Sequence, residues 1–523
     1  MAIIDFFDRG WRINPKATAY IQDDRYYSFD EFGESSCRIA NALLAEGFGR
    51  EAKGAVWAGN DVTAWSCTLG LWRAGMCWIP VGARNPAAEN HFVLDAFDCE
   101  VLFFQHEFAP VVAGLHPKLP NVKAWICIDG EAPEVPGARS LQAWVADHPA
   151  TRPNVDVDLD DVVVLSATGG TTGSPKGVMN THRSTQTFCA HFMIGCPYES
   201  TVKPVNLAAA PITHTAGLLS LPCTARGGTV VVLTKPDPAQ LLGSIQQHRV
   251  TEFFLPPTVI YRLLDIPDLN KKVDFSSLKY FLYGAAPMSV EKLKQAIGTF
   301  GPVMMGGYGQ TEAPTSISFL TPGEHFVAGQ VAPDERLSSV GRPNPLVRVE
   351  IMSDANEILP PGETGEICVR GDLVMKGYYK APEKTAETIV DGWLHTGDIG
   401  HLDVDGYLHI TDRKKDMIIT GGFNVYPREV EDVISTHPGV SAVAVIGVPD
   451  ERWGESVKAV VVPRPGEEID PAEIIDLVKE HKGSVQAPKT VDFVDAIPLS
   501  ALGKPDKKTL RARYWGDTGR QVN

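Results

Sequence analysis

Ser166-Ala-Thr-Gly-Gly-Thr-Thr-Gly-Ser-Pro-Lys-Gly177 is the most informative segment of this chain. It follows an apolar run, Val162 to Leu165, which we interpret as a buried strand. Glycine lets a backbone approach a ligand closely, and clustered N–H and hydroxyl groups form a cradle for phosphate oxygens. The stretch is not a Walker loop, because Pro175 and Gly177 stand where that motif needs Gly and Ser or Thr. It therefore predicts a phosphate-binding loop of another kind.

Composition narrows the class of protein. Apolar residues make up 44% of the 523 residues and charged residues 21%, which is typical of an ordinary soluble globular chain. Its length predicts two or more domains. The formal net charge of −16 argues against nucleic acid as the main partner. It does not exclude ATP or coenzyme A, since a local basic site can bind phosphate in an acidic protein.

Cysteine usage and the termini indicate the compartment. The nine cysteines contain no C-x-x-C pair, so we expect reduced thiols packed as small core residues rather than a disulfide framework or a zinc site. The amino terminus carries acids within its apolar stretch, no run of eighteen apolar residues is present, and the last residues lack S-K-L. We expect a cytoplasmic protein without a membrane span, as a monomer or homodimer.

Strand-like and helical patterns alternate along most of the chain, which predicts parallel sheets covered by helices. Ser28 and Glu31 form a capping-box signature before a helix that reaches Leu44, and the segments 229–233 and 253–255 are predicted strands. From Val347 the pattern changes to short strands and turns, which predicts a small β-rich lobe. Beyond residues 412–416 we predict a helix over 427–435, strands over 440–448 and 457–462, and a helix over 471–482.

The segment Thr168 to Gly177 closely resembles the phosphate-binding signature of the adenylate-forming superfamily, T-S-G-T-T-G-x-P-K-G. That superfamily includes acyl-CoA synthetases, peptide-synthetase adenylation domains and firefly luciferase. Only Gly169 departs from the commonest form, and further family motifs follow in order along nearly the whole chain. The resemblance implies an α/β fold: a large N-terminal domain of two parallel-type βα sheets with the β-rich lobe, and a small mobile α+β C-terminal domain. We expect an adenylation domain over 1–412, a hinge over 413–416 and the mobile domain over 417–523.

Activating a carboxylate with ATP needs a triphosphate cradle, an oxygen ligand for a divalent cation, a platform for the purine and a carboxylate for the ribose diol. Gly306-Gly-Tyr-Gly-Gln-Thr-Glu312 matches the family's Y-G-x-T-E, which implies that Tyr308 stacks on adenine, Thr311 bonds the α-phosphate and Glu312 holds Mg²⁺. Trp393-Leu-His-Thr-Gly-Asp398 resembles W-x-x-T-G-D, which implies that Asp398 binds the ribose hydroxyls together with Arg413. The remaining nucleotide-binding residues that the resemblance implies are Thr168, Gly169, Gly170, Thr171, Thr172, Gly173, Lys176, Ala285, Ala286, Gly307 and Gly309.

The resemblance also assigns residues to adenylation, to the domain movement and to the coenzyme A channel. Pro498-Leu-Ser-Ala-Leu-Gly-Lys504 matches P-x-x-x-x-G-K, which implies that Lys504 bridges the carboxylate and the α-phosphate during adenylation. Lys415 matches the family hinge, about which the small domain swings. Gly421 and Gly422 lie in the loop that faces the pantetheine channel of coenzyme A.

The acid pocket is assigned in the same way. His214 matches a gate position and is also a candidate catalytic residue. The other pocket residues that the resemblance implies are Thr215, Ala216, Tyr283, Gly284, Gly306 and Ala313. Thr215 stands where amino-acid-activating relatives have Asp, and Gly309 where acetate-specific relatives have Trp; Gly217 is small as well. Many small residues predict a large, mostly apolar pocket for an aromatic, alicyclic or medium-chain acid.

The sequence thus favours an acid:CoA ligase that uses ATP, Mg²⁺ and coenzyme A. Loading of a carrier protein stays open as an alternative. Ligases that load a carrier protein usually have an insertion before the W-x-x-T-G-D match, and this chain has none there. Luciferase-like oxidation is disfavoured by the missing S-K-L. A non-catalytic nucleotide-binding regulator is disfavoured because Lys504 and Glu312 are both retained.

Overall fold

The computed structural model describes residues 1–168, 175–235, 237–450, 452–498 and 505–515. Internal contacts divide the chain into two units. The first unit comprises Met1–Arg348 and Val369–Leu394, and the second comprises Val349–Cys368 and His395–Asn523.

The strands of the described ranges are β1 Thr18–Gln22, β2 Arg25–Ser28, β3 Lys53–Trp57, β4 Cys77–Pro80, β5 Val101–Phe104, β6 Ala124–Cys127, β7 Arg139–Ser140, β8 Val162–Thr168, β9 Lys176–Thr181, β10 Val205–Ala208, β11 Thr229–Val232, β12 Glu252–Leu255, β13 Tyr280–Gly284, β14 Met304–Gln310, β15 Ala313–Leu320, β16 Phe326–Val327, β17 Gln330–Val331, β18 Arg342–Pro343, β19 Val347–Met352, β20 Gly365–Gly371, β21 Gly377–Tyr378, β22 Ile389–Val390, β23 Trp393–Leu402, β24 Leu408–Arg413, β25 Ile418–Thr420, β26 Phe423–Val425, β27 Val440–Asp450, β28 Gly454–Pro463 and β29 Thr490–Phe493.

The α-helices of the same ranges are α1 Ile4–Ile13, α2 Phe29–Ala45, α3 Val62–Arg73, α4 Ala87–Ala96, α5 Ala109–Leu115, α6 Leu141–Val145, α7 His182–Gly195, α8 Thr215–Ala225, α9 Pro238–Gln247, α10 Pro257–Leu264, α11 Leu269–Lys272, α12 Val290–Phe300, α13 Asp334–Ser338, α14 Pro382–Thr388, α15 Pro427–Ile434, α16 Pro471–Lys482 and α17 Lys507–Trp515.

Two large sheets of mainly parallel strands form the first unit, which confirms the predicted fold class. One has nine strands in the order β18-β15-β14-β13-β12-β10-β11-β1-β2, and the other has eight in the order β21-β9-β8-β4-β3-β5-β6-β7. In the nine-stranded sheet β13 pairs in parallel with both β12 and β14, while β14 and β15 are antiparallel. Because carboxyl ends of parallel strands meet at one sheet edge, the loops after β13 and β14 are neighbours.

The core of the first unit lies where helices cover these sheets. The aromatic rings of Phe253 on β12 and Phe281 on β13 have centroids 4.1 Å apart, and Leu293 of α12 belongs to the same buried cluster. The predicted capping box is confirmed at the start of α2, where the Ser28 hydroxyl accepts from the Glu31 amide and the Glu31 carboxylate accepts from the Ser28 amide. All nine cysteines are buried free thiols, as predicted.

The second unit contains a sheet of five strands in the order β26-β25-β28-β27 with β29 beside β28, covered by α15, α16 and α17. A further sheet has the order β19-β20-β23-β22 with β24 beside β23. The boundaries between the two units fall within its strands β20 and β23. The segments 349–368 and 395–412 therefore group with the C-terminal residues by contact. The division at residue 412 and the hinge over 413–416 remain predictions.

Among the helices of the described ranges, none is long and apolar enough to cross a membrane.

Candidate active site

The two ends of the predicted phosphate loop lie side by side. Thr168, the last residue of β8, pairs across the antiparallel ladder with Lys176, the first residue of β9. The Thr168 hydroxyl donates to the Lys176 carbonyl at 3.4 Å. The loop residues assigned to phosphate, Gly169, Gly170, Thr171, Thr172 and Gly173, lie outside the described residues. The structure thus brings together the described ends of the loop, Thr168 and Lys176.

Thr311 and Glu312 form the turn between β14 and β15, and two other elements hold this turn. The side-chain amide of Asn180 on β9 donates to the Thr311 carbonyl at 3.1 Å. The Met375 amide donates to the Glu312 carbonyl at 2.8 Å. The turn is therefore fixed beside the strand that begins with Lys176.

The Glu312 side chain has a partner that the sequence analysis missed. The Tyr378 hydroxyl donates to Oε1 of Glu312 at 2.8 Å. The same phenol ring lies under the Lys176 ammonium, whose Nζ is 4.7 Å from the ring centroid. Burial, followed by the negative charge of Glu312, raises the pKa of Tyr378, so that the phenol stays a neutral donor. The corresponding signal in the sequence is the pair of tyrosines in Lys376-Gly-Tyr-Tyr379, shortly before α14.

The segments assigned to adenine are adjacent, as the parallel pairing of β13 and β14 requires. Tyr283 pairs with Gly306 and Gly284 with Gly307, and a Cβ added to Gly284 would lie 2.5 Å from the Gly307 carbonyl oxygen. Ala285, the next residue, is exposed and has φ of +64°, a left-handed conformation that side chains other than glycine seldom adopt. Such strain of about 1–3 kcal/mol is concentrated at functional sites.

Backbone packing explains why residue 309 is a glycine. A Cβ at Gly309 would lie 2.4 Å from the amide nitrogen of Thr315, a β-branched residue with φ of +51°. The β14–β15 pairing shifts register at this point, between Tyr308 and Gln310. Only glycine fits beside this irregular strand, so Gly309 alone does not demonstrate a wider acid pocket.

The predicted acid-pocket residues are distributed over four elements, α8, β13, β14 and β15. His214 directly precedes α8, its Nδ1 lies 2.9 Å from the Thr215 hydroxyl, and Ala216 is buried in the first turn. The His214 side chain is exposed, and desolvation by surrounding protein atoms lowers its pKa. Ala313 is buried on β15.

Gly217 and Gly306 lack a side chain because the surrounding packing leaves no room for one. A Cβ at Gly217 would lie 2.1 Å from the Ile212 carbonyl oxygen and 2.4 Å from the Trp65 ring, so the absence of a side chain there is a packing requirement and does not enlarge the pocket. A Cβ at Gly306 would lie 2.9 Å from the Tyr283 hydroxyl. That hydroxyl lies 3.1 Å from Nε2 of buried His325, a second residue that the sequence analysis missed.

The second unit contains the residues assigned to the ribose. Asp398 on β23 pairs with Arg413 at the end of β24, and the Arg413 Nε lies 2.5 Å from the Asp398 Oδ1. The Asp398 amide is fixed by the Thr396 hydroxyl at 3.1 Å. The carboxylate is thus oriented by its own hairpin.

The predicted hinge is held by ion pairs on both sides of Lys415. The Lys414 ammonium bonds Asp354 at 2.9 Å and Glu366 at 3.2 Å, both in the β-rich lobe. Asp416 accepts from Arg511 of α17 at 2.8 Å. Lys414 and Asp416 are therefore tied to different segments of the second unit, with Lys415 between them.

The loop assigned to coenzyme A has two glycines in left-handed backbone, with φ of +58° at Gly421 and +84° at Gly422. The Gly421 amide donates to the Trp453 carbonyl at 2.9 Å, and a Cβ at Gly421 would meet the Trp453 ring at 2.6 Å. Both conformation and contact therefore require glycine at Gly421. Lys504 lies outside the described residues.

Mg²⁺ fits the donors around Glu312. This ion prefers one or two carboxylates, with waters and substrate phosphates completing its oxygen shell. Glu312 offers one carboxylate oxygen, Oε2, besides the one bonded to Tyr378. In the part of the chain that the structure describes, no group of three or more His, Cys, Asp or Glu side chains is arranged to hold a metal on its own. A site completed by substrate phosphates is compatible with this arrangement.

Comparison with known families gives the same assignment. Residues 7–379 match the model of the AMP-binding enzyme family, and residues 429–504 match the model of the AMP-binding enzyme C-terminal domain. The chain belongs to the AMP-binding enzyme family. Within this family its relatives place it in the acyl-CoA synthetase branch of the adenylate-forming superfamily.

Several relatives of this AMP-binding enzyme have names that state an activity. A medium/long-chain-fatty-acid--CoA ligase, FadD8 of Mycobacterium tuberculosis (strain ATCC 25618 / H37Rv), is 46% identical over 380 residues, which cover 71% of this chain and 65% of that protein. A feruloyl-CoA synthase of Amycolatopsis sp is 37% identical over 506 residues, 96% of this chain and 97% of that protein. A fatty acid--[acyl-carrier-protein] ligase, ScoC of Streptomyces coeruleorubidus, is 34% identical over 519 residues, 97% of this chain and 96% of that protein.

The solved structure of the amide bond synthetase McbA from Marinactinospora thermotolerans is similar to this AMP-binding enzyme throughout. The two chains are 31% identical, and the TM-score is 0.89 with 98% of this chain and 100% of that chain covered. The chain is therefore an AMP-forming acyl-CoA synthetase by family.

Proposed function

We propose that this enzyme activates an aromatic, alicyclic or medium-chain carboxylic acid as acyl-AMP and transfers the acyl group to coenzyme A. The observation that carries the proposal is the arrangement of Lys176, Tyr378 and Glu312, which puts a cation and a carboxylate beside the ends of a glycine-rich loop. A triphosphate with a divalent cation needs this combination of charges.

In the first half-reaction a carboxylate oxygen of the acid attacks the α-phosphorus of ATP, the bond to the bridging oxygen breaks, and pyrophosphate leaves. Lys176 and Thr168 would bind phosphate oxygens, and Thr311 would bond the α-phosphate. Glu312 would hold Mg²⁺, which neutralises phosphate charge when bound. Lys504 would neutralise the charge that develops where the carboxylate meets the α-phosphate.

In the second half-reaction the coenzyme A thiol loses its proton, its sulfur attacks the acyl carbon, and AMP leaves. The thiol would approach beside Gly421 and Gly422, where the backbone lacks side chains. Lys504 and the thiol need the same place at the acyl phosphate, so the domain that carries Lys504 would have to swing between the steps about Lys415. Asp398 and Arg413 would bind the ribose in this scheme.

The acid class is supported by two kinds of observation. Ala216 in the first turn of α8 and Ala313 at the start of β15 are small and buried, which favours an apolar acid of some bulk. The names of two relatives, a medium/long-chain-fatty-acid--CoA ligase and a feruloyl-CoA synthase, point to aliphatic and aromatic acids of that size.

Two other acceptors are competing candidates, because relatives are named for them. One relative loads an acyl carrier protein, and the similar solved structure is of an amide bond synthetase. Acyl-AMP is common to all three reactions, so the acceptor must be tested separately from the acid.

The experiment is a pyrophosphate-release assay across benzoates, cinnamates, phenylacetates, alicyclic acids and C4–C12 fatty acids. Bulky acids should be used far better than acetate or propionate. Purified enzyme charged with the best acid is then given coenzyme A, a phosphopantetheinylated carrier protein or a primary amine. Thioester formation fastest with coenzyme A supports the proposal, whereas preference for acetate, or for either other acceptor, contradicts the corresponding part.

A further inference from the structure

Tyr378 is a candidate positioning residue because it contacts both groups assigned to the metal-bound triphosphate. Its hydroxyl donates to Glu312 Oε1 at 2.8 Å, and its ring faces the Lys176 ammonium at 4.7 Å. These contacts join three segments that are far apart in sequence. They do so within the first unit, which contains all three residues.

The position of Tyr378 is itself fixed by backbone pairing. Its strand, β21, pairs antiparallel with β9, with Tyr378 opposite Val178. The Tyr378 amide donates to the Thr385 hydroxyl at 2.9 Å, and the neighbouring Met375 amide holds the Glu312 carbonyl. One short segment, residues 375–378, therefore fixes both the backbone and the carboxylate of Glu312.

The hydrogen bond determines how the carboxylate is presented. A phenol that donates to Oε1 uses one lone pair of that oxygen and orients the whole carboxylate plane, which leaves Oε2 for a cation. Partners of this kind around metal ligands typically contribute about 10-fold or more to metal affinity. A cation over a phenol ring is stabilised as well, and that contact sets where the Lys176 ammonium lies.

We propose that Tyr378 positions Glu312 to bind Mg²⁺ through Oε2, and positions Lys176 through its ring. The inference rests on the proposed function, since it takes Glu312 as the ligand of the ATP-bound Mg²⁺. It assigns two separable roles to one side chain: the hydroxyl acts on the metal and the ring acts on the phosphate-loop lysine.

The adjacent residue provides a matched control. Tyr379 also donates its hydroxyl to a carboxylate, Asp98 Oδ2 at 2.6 Å, and also has lysines facing its ring, Lys53 and Lys380, each at 5.3 Å. Asp98 belongs to none of the motifs of the candidate site. Tyr379→Phe thus removes the same kind of bond from the same unit without touching Glu312.

The experiment compares the full-length wild type with Tyr378→Phe, Tyr378→Leu and Tyr379→Phe. Binding of α,β-methylene-ATP is measured by calorimetry over a series of Mg²⁺ concentrations, and acid-dependent pyrophosphate release is measured over the same series. Unfolding midpoints are recorded so that the variants are compared as folded proteins.

For Tyr378→Phe we expect the Mg²⁺ concentration for half-maximal nucleotide binding to rise about 10-fold, with the KM for the acid unchanged and kcat recovering at saturating Mg²⁺. Tyr378→Leu should show the same Mg²⁺ shift and, in addition, weaker nucleotide binding at saturating Mg²⁺, because the support for Lys176 is lost. Tyr379→Phe should follow the wild type.

Equal Mg²⁺ dependence in Tyr378→Phe and Tyr379→Phe would overturn the role of the hydroxyl. Nucleotide binding by Tyr378→Leu equal to that of Tyr378→Phe at saturating Mg²⁺ would overturn the role of the ring. A wild type that neither binds the analogue with Mg²⁺ nor releases pyrophosphate would instead remove the proposed function, and the inference with it.

Discussion

The Nε of Arg413 lies 2.5 Å from Oδ1 of Asp398, in a pair whose carboxylate side chain is only 4% exposed. Charge-assisted bonds of this length are the strong ones, and the strand pairing of Asp398 with Arg413 fixes their approach. One carboxylate oxygen is thereby assigned to Arg413. In the proposed scheme Asp398 and Arg413 together bind the ribose hydroxyls.

Asp398→Asn should raise the KM for ATP by about 10-fold or more, since it removes a charged acceptor and leaves Arg413 without its partner. The test uses a cycle with 2′-deoxy-ATP: the wild type should lose affinity on losing the 2′-hydroxyl, and the variant should lose much less. Asp403→Asn, on the turn after β23, is the control. Equal penalties for 2′-deoxy-ATP in wild type and Asp398→Asn would show that Asp398 does not bind the ribose.

Lys504→Ala should lower the rate of adenylation by roughly 10²–10³-fold, the usual effect of one preorganised donor at a developing anion. Thioester formation from supplied acyl-AMP should be affected far less. Lys508→Ala, an exposed lysine on α17 nearby in sequence, is the matched control. Adenylation that stays near the wild-type rate in Lys504→Ala would mean that another group bridges the carboxylate and the α-phosphate.

Lys415→Pro should uncouple the half-reactions, because proline fixes φ near −65° at the residue between the anchored Lys414 and Asp416. Provided that the adenylating conformation tolerates this φ, pyrophosphate exchange should persist while thioester formation falls by orders of magnitude. Lys415→Ala removes the side chain and leaves the backbone free, so it should retain both. The ratio of the two rates is the measurement; parallel changes in both would place the hinge elsewhere.

Buried His325 should make the first unit less stable in acid. Burial lowers its pKa to about 4, below the unfolded value of about 6.5, so protonation favours the unfolded state. Its contribution is complete above about pH 6.5 and is lost as the pH falls toward 4, by about 2 kcal/mol at pH 5. His325→Gln keeps an acceptor for the Tyr283 hydroxyl without a titrating group. Its urea midpoint should therefore fall less than that of the wild type between about pH 7.5 and pH 5; equal falls would exclude His325 as a source of acid sensitivity.

Local signals in the sequence predicted the elements with clear ends. The helix predicted over 471–482 has those bounds because the Asp470 side chain caps its first turn, Pro471 starts it and Gly483 ends it with φ of +83°. The strand β24 begins only at Leu408, because Asp403 accepts the amides of Asp405 and Tyr407 and holds them in a turn. Side-chain capping of that turn gave no pattern that periodicity could detect.

The site was only partly predictable, for a related reason. Family motifs supplied Glu312 and Lys176, but Tyr378 reaches Glu312 across 66 positions and His325 reaches Tyr283 across 42. Contacts at such separations depend on strand order, which single motifs do not contain. The same applies to Gly217, whose small size is required by Trp65 from a distant helix rather than by a substrate.

In the proposed reaction the enzyme cleaves ATP between its α- and β-phosphates to activate an acid. The most direct test follows all nucleotide products by chromatography while the best acid, ATP, Mg²⁺ and coenzyme A are converted. AMP and pyrophosphate should accumulate in equal amounts with the thioester, and neither should form without the acid. Formation of ADP and inorganic phosphate with the thioester would show that the enzyme does not activate the acid as acyl-AMP.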